Sequence, residues 1–168
     1  MTRSYREKNN YAELADGHGL TGVATRMRRD CAAGFISMAS LFCGGAIYLL
    51  WRSPTLPMFR WVDLLGLTAI VSPVRAAFWG YRPHVPNLVL YSLPDALWLI
   101  SLLILLDRIW VGSPRVALIL TTGTAAFAIV MEFAQRWIPR LGTFSWQDVV
   151  ALTMASAYLA IPIKRLVR

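Results

Sequence analysis

Residues 31–51 read CAAGFISMASLFCGGAIYLLW, twenty-one positions without a charge. Coiled as a helix at 1.5 Å per residue, the run is about 32 Å long, enough to cross a bilayer's hydrocarbon core. Small residues recur in it at four-residue spacing, Ala33 with Ser37 and Ser40 with Gly44, so that a second helix can approach closely. Arg52 and the turn Ser53-Pro54-Thr55-Leu56-Pro57 end it.

The rest of the chain repeats the pattern. A second span is expected from Leu88 or Pro94 to Leu106, with Trp110 as an interfacial anchor. Ser113-Pro114 restarts a helix with proline at its first position, and residues 116–131 carry no charge before it stops ahead of Pro139. A fourth span, residues 149–163, lies between Asp148 and Lys164 and leans on Trp146 and a snorkelling Lys164 for its full length. Residues 62–79 differ: only eleven uncharged positions separate Asp63 from Arg75, which fits a re-entrant or interfacial helix better than a span. The expected fold class is therefore all-α, a polytopic membrane helix bundle with four spans plus one re-entrant or interfacial helix; five spans is the alternative.

Composition agrees. Of 168 residues 57 % are hydrophobic and only 15 % charged, where soluble chains carry about 25 % charged residues. The net charge of +8 does not signal nucleic acid, because the basic residues flank apolar runs as membrane-anchoring charges do. With four spans, eleven Lys and Arg fall on the side of the termini and six opposite; with five spans the split is ten to seven. The larger asymmetry favours four spans with both termini cytoplasmic. Asp95, Glu132 and Asp148 then face outward.

Two domains are expected, a polar cytoplasmic tail over 1–30 and the transmembrane helical domain over 31–168. The tail has six basic and four acidic residues and resembles no cleavable signal, so the first apolar run is expected to be an uncleaved anchor. Gly17-His18-Gly19-Leu20-Thr21-Gly22 matches a dinucleotide fingerprint literally, but that motif needs a strand before it and a βα unit around it; a flexible loop is expected instead. Cys31 and Cys43 lie about 18 Å apart along one helix, too far to bridge, and are expected to be free and mostly buried. His18 and His84 have no ligand-spaced partner, so no metal and no cofactor are expected.

Outside the tail five acids remain. Asp107, beside Arg108, reads as a solvated interface residue, and Asp63 as a cap of the short element at 62–79. Glu132, Gln135 and Arg136 share one helix face at i, i+3 and i+4. An ionisable group at membrane depth points to function; the plain alternative is a Glu132–Arg136 ion pair. Ser92 with Asp95, and Ser145 with Asp148, have the spacing of a capping box, which gives both aspartates a plain reading as helix N-terminal residues. That reading leaves their common side unexplained. The candidate binding cluster is Asp95, Glu132, Gln135, Arg140 and Asp148, supported by Trp98 and Trp146, with Trp137 nearby.

Glu132-Phe133-Ala134-Gln135, then Gly142-Thr143-Phe144-Ser145-Trp146-Gln147-Asp148 before an apolar span, resembles the Glu-x-x-Gln…Asp signature of the VanZ-like family. Pro94-Asp95-Ala96-Leu97-Trp98 resembles the Pro-Asp-x-Leu-Trp segment of that family's Gly-Thr-Phe branch. Two departures stand out: Ser145 takes the place of an aspartate usual in that branch, and Gly142 that of an arginine common elsewhere, with Arg140 two positions earlier. The resemblance covers about residues 34–163. It implies a bacterial inner-membrane protein of the cell envelope, linked in some members to antibiotic (glycopeptide) resistance.

Three classes of function follow. The first is a VanZ-like protein whose outer-leaflet cluster binds an envelope component, with membrane lipid, a lipid-linked molecule or a glycopeptide-type head group as its partner. The second is a non-catalytic subunit or scaffold of a larger membrane complex, motivated by small residues on the first span, on 121–126 and at Ala151 and Ala155. The third is an enzyme, which carboxylates alone support weakly: no nucleophile–base pair, metal set or phosphate-cradling loop accompanies them.

Overall fold

The computed structural model describes residues 3–138 and 142–159. Among them every regular element is helical. In order these are α1 (Arg3–Trp51), α2 (Pro57–Leu64), α3 (Thr68–Trp79), a 3-10 turn (Arg82–His84), a π-helical turn (Leu88–Ser92), α4 (Leu93–Ile109), α5 (Pro114–Ala134), α6 (Trp146–Ser156) and a closing 3-10 turn (Ala157–Leu159). Among the described residues three stretches are long and apolar enough to cross a membrane: Met27–Trp51, Leu88–Ile109 and Pro114–Ala134. The fourth expected span, 149–163, lies within the described residues only as far as Leu159.

The chain divides into two compact units, Met1–Phe35 and Ile36–Arg168. In the first, residues 17–22 are helical, which corrects the expected flexible loop. The neighbouring Arg6-Glu7-Lys8 and Ala12-Glu13-Leu14-Ala15 are strong helix formers, and no proline interrupts before Pro54. They carry three glycines that each cost about 1 kcal/mol relative to alanine. Inside a helix the backbone N–H groups of this segment serve i−4 carbonyls and form no phosphate cradle.

The core of the second unit lies where α4, α5 and α6 meet. Ala96, Leu99 and Leu103 of α4 pack with Ala125 of α5 and with Leu152 and Ala155 of α6. Half of these are alanine, so the helix backbones come close, as they do when bilayer helices associate through packing. Outward-facing positions are apolar instead: Leu105, Ile119, Phe127, Val130 and Met154 are all exposed. That inversion of the soluble pattern suits helices whose solvent is lipid. Cys31 and Cys43 are free but exposed, which corrects the expected burial.

Residues 36–51 of α1 run antiparallel to α4. The Ser37 hydroxyl donates to the Ser101 carbonyl at 3.0 Å, and the two hydroxyls lie 3.0 Å apart. About two turns along, Gly44 faces Trp98 so closely that a Cβ would stand 2.7 Å from its Nε1 and 3.1 Å from the Pro94 carbonyl oxygen. The Tyr48 and Trp98 rings follow at 5.3 Å.

Residues 62–79 break into two pieces at Leu65-Gly66-Leu67, where Gly66 adopts φ +69°. The eight-residue α2 and twelve-residue α3 are about 12 and 18 Å long, short of a bilayer core. Asp63 does not cap a helix N-terminus as expected. It lies in the last turn of α2 and accepts a hydrogen bond from the Thr68 hydroxyl across the break. Arg75 turns back to the C-terminal end of α1, where its guanidinium donates to Leu49 O at 2.9 Å and to Arg52 O. Arg82 donates from Nε to Trp51 O at 3.2 Å. Two cations thus satisfy the orphan carbonyls at the negative end of the α1 dipole. Burial, and then the charge of Arg82, hold the Arg75 group below its ordinary value, but a guanidinium stays protonated regardless.

Asp107 also departs from expectation. It is fully buried, and the Tyr158 hydroxyl donates to its Oδ2 at 3.3 Å. The turn at Ala157–Leu159 brings Tyr158 over the C-terminal end of α4, so proximity to Arg108 in sequence did not translate into solvation.

Candidate functional site

At the end of the bundle opposite Asp107, four helix termini surround a cavity of about 680 Å³. The C-terminal end of α1 contributes Tyr48 and Arg52, and the first turns of α4 contribute Asp95 and Trp98. The C-terminal end of α5 brings Glu132 and Gln135; the start of α6 brings Gln147 and Asp148. Antiparallel packing of successive helices is what gathers residues so distant in sequence.

Asp148 occupies the first turn of α6, where the helix dipole favours a carboxylate. Ser145 is the N-cap of α6, extended at φ −140° and ψ 128°, and its hydroxyl accepts the Gln147 N–H at 3.2 Å. In a capping box the carboxylate three residues on would accept the N-cap's own N–H. Here Glu132, reaching across from α5, takes that place: its Oε1 accepts Ser145 N–H at 2.8 Å. Asp148 is released from the cap, and its Oδ1 is buried without a hydrogen-bond partner.

Glu132 is 6 % exposed and both of its oxygens are used, since Gln135 Nε2 donates to Oε2 at 3.1 Å. This pair stands where the Glu132–Arg136 ion pair was the plain expectation. Arg136 instead lies over the Phe144 ring, 5.7 Å from its centroid. Gly142 has φ +149°, and a Cβ there would stand 2.6 Å from Gln135 Oε1, so the Gln135 amide occupies the space a side chain at 142 would need.

Asp95 lies in the first turn of α4, but Ser92 does not cap that helix. The π turn Leu88–Ser92 runs straight into α4, Ser92 is itself helical at φ −93° and ψ −34°, and its buried hydroxyl makes no cap. That corrects the capping reading of Ser92 and Asp95. Asp95 instead stands within electrostatic reach of Arg52, Asp148 and Glu132.

Asp95, Glu132, Gln135 and Asp148 therefore line one cavity, as does Trp98. Arg140 lies outside the described residues. Trp146 is exposed and not in the wall; it packs edge-on against Phe133 at 5.8 Å and Phe144 at 5.2 Å. Trp137 is exposed as well. The cation that sequence reasoning missed is Arg52. Its guanidinium lies over the rings of Tyr48 at 5.2 Å and Tyr91 at 4.7 Å, and Nη2 approaches Tyr91 O at 3.4 Å. A signal for it existed: Gly44, Tyr48 and Arg52 continue the four-residue spacing from Ser40, so the face that packs on α4 ends in Arg52. Tyr91 and Asn87 line the cavity too, and no sequence pattern marked them.

Among the described residues, no three His, Cys, Asp or Glu side chains are gathered closely enough to hold a metal ion. The three carboxylates are spread around a space of ligand size. The chain matches no family model, no curated protein and no solved structure.

Proposed function

We propose that this chain is a VanZ-like integral membrane protein of the bacterial cell envelope, and that its bundle-end cavity binds the polar head group of an envelope component. Four spans with both termini cytoplasmic put the cavity at the outer leaflet of the inner membrane, following the asymmetry of Lys and Arg. α2 and α3 then lie at the outer interface, in keeping with the exposed Trp61, Leu64, Leu65, Ile70 and Phe78. The observation that carries the reading is the delivery of one guanidinium and three carboxylates to a single cavity by four separate helices. Ionisable side chains within or at the ends of spanning helices that face the bundle interior, not the headgroups, mark a binding or transport site. Purified protein should retain a polar-headed lipid in native mass spectrometry, and a triple variant Arg52→Gln, Asp95→Asn, Asp148→Asn should lose it. Equal retention by the triple variant contradicts the reading.

A second reading, a subunit of a larger membrane complex, draws on the exposed small residues Thr122, Gly123 and Ala126 on α5. Nothing stands within 4 Å of a Cβ placed on Gly123, so a partner helix has room to pack there. Release of a single copy, with no co-purifying protein, from native membranes in gentle detergent contradicts it.

A further inference from the structure

We infer that the head group taken by this cavity is zwitterionic, a primary ammonium joined to a phosphodiester on a membrane lipid. The inference rests on the binding reading above and gives it a chemistry. The cavity wall is divided in what it offers. Glu132 is engaged on both oxygens by Ser145 and Gln135, and so acts as a positioning residue. Asp148 Oδ1 is buried without a partner, and Asp95 lines the same space within electrostatic reach of it. Two carboxylates from α4 and α6 are therefore available to a group that brings several N–H donors and a positive charge. Among the described residues no three His, Cys, Asp or Glu side chains are gathered for a metal ion, whereas an ammonium carries three N–H donors and needs only acceptors of opposite charge.

The α1 side offers the opposite. Arg52 Nε is buried without a partner, and Nη2 makes only the long contact to Tyr91 O. A guanidinium with free donors suits a phosphate oxygen. Three carboxylates against one guanidinium leave the lining formally acidic, so an anion without a compensating amine is disfavoured. A lipid is the source, because the lining residues of α1, α4 and α5 stand at the ends of helices apolar enough to span a bilayer and the outward faces are apolar.

The test uses the full chain in detergent, titrated in native mass spectrometry with phosphatidylethanolamine, phosphatidylglycerol and N-acylated phosphatidylethanolamine. Phosphatidylethanolamine should bind at least about tenfold tighter than the other two, which lack the ammonium. Asp95→Asn and Asp148→Asn, each nearly isosteric, should remove that preference by weakening binding of phosphatidylethanolamine. Arg52→Gln should weaken all three. Soluble glycerophosphoethanolamine should compete, but at least about tenfold more weakly than the lipid. Equal or better binding of phosphatidylglycerol overturns the inference and leaves head-group binding standing. Equal affinity for the soluble head group overturns the lipid source. Binding of none of the three lipids overturns the underlying reading as well. The N-acylated lipid changes the ligand alone, so its result does not depend on how any variant folds.

Discussion

Glu132 Oε1 accepts the backbone N–H of Ser145 at 2.8 Å, so a carboxylate of α5 completes the N-terminal cap of α6. One bond fixes the angle between two helices and frees Asp148 to face the cavity. Replacing Glu132 with alanine should strand the Ser145 N–H and the Gln135 amide, destabilising the bundle by about 1–3 kcal/mol. Glu132→Gln keeps an acceptor and should lose less. Thermal unfolding in detergent, followed by circular dichroism, checks the order Ala worse than Gln.

Gly44 is required by the approach of α1 to α4. In Gly44→Ala the new methyl meets the Trp98 indole and the Pro94 carbonyl, and the latter is backbone that cannot swing aside. A loss of about 1–3 kcal/mol is expected from overpacking. The tryptophan emission should shift because Trp98 is displaced. Gly45→Ala is the control, since nothing stands within 4 Å of its Cβ.

Arg75 should not tolerate lysine. Its planar fork reaches two carbonyls at the end of α1 while lying over Phe59 at 4.8 Å and Trp79 at 4.7 Å. An ammonium is a point charge and reproduces neither arrangement. In Arg75→Lys, amide hydrogen exchange across α2 and α3 should speed up by about tenfold or more, with α5 unchanged. Equal exchange in both proteins would show that the α1 carbonyls do not hold this segment.

The helices were legible because a long apolar run between charges has few fates, and residues 31–51 and 116–131 have none but a buried or spanning helix. Glu132, Gln135, Asp95 and Asp148 were legible as candidates because each sits at a helix end in an otherwise apolar chain. Their meeting around one space was not, since it depends on which helices pair. Arg52 shows this most clearly: it enters the cavity only because Ser37, Gly44 and Tyr48 seat α1 on α4. Asp107 misled for the converse reason. Its sequence neighbour Arg108 implied solvent, while the residue that covers it, Tyr158, lies 51 positions away. The capping spacing of Ser145 with Asp148 does mark a helix start, yet the reciprocal half of the cap comes from Glu132, thirteen residues earlier on another helix.

The membrane side of the cavity rests on the charge asymmetry, and cysteine labelling addresses it. Thr143→Cys in a background where Cys31 and Cys43 are serine should react with an impermeant maleimide added to intact spheroplasts. Reaction only after the cells are broken would reverse the orientation.

The convergence of the charged side chains is tested most directly by a double-mutant cycle in unfolding free energy between Arg52→Gln and Asp95→Asn. Residues facing one cavity across α1 and α4 should couple by about 0.5 kcal/mol or more. Strict additivity of the two substitutions would mean that the ends of these helices do not bring their charges together, and the account of the site would be contradicted.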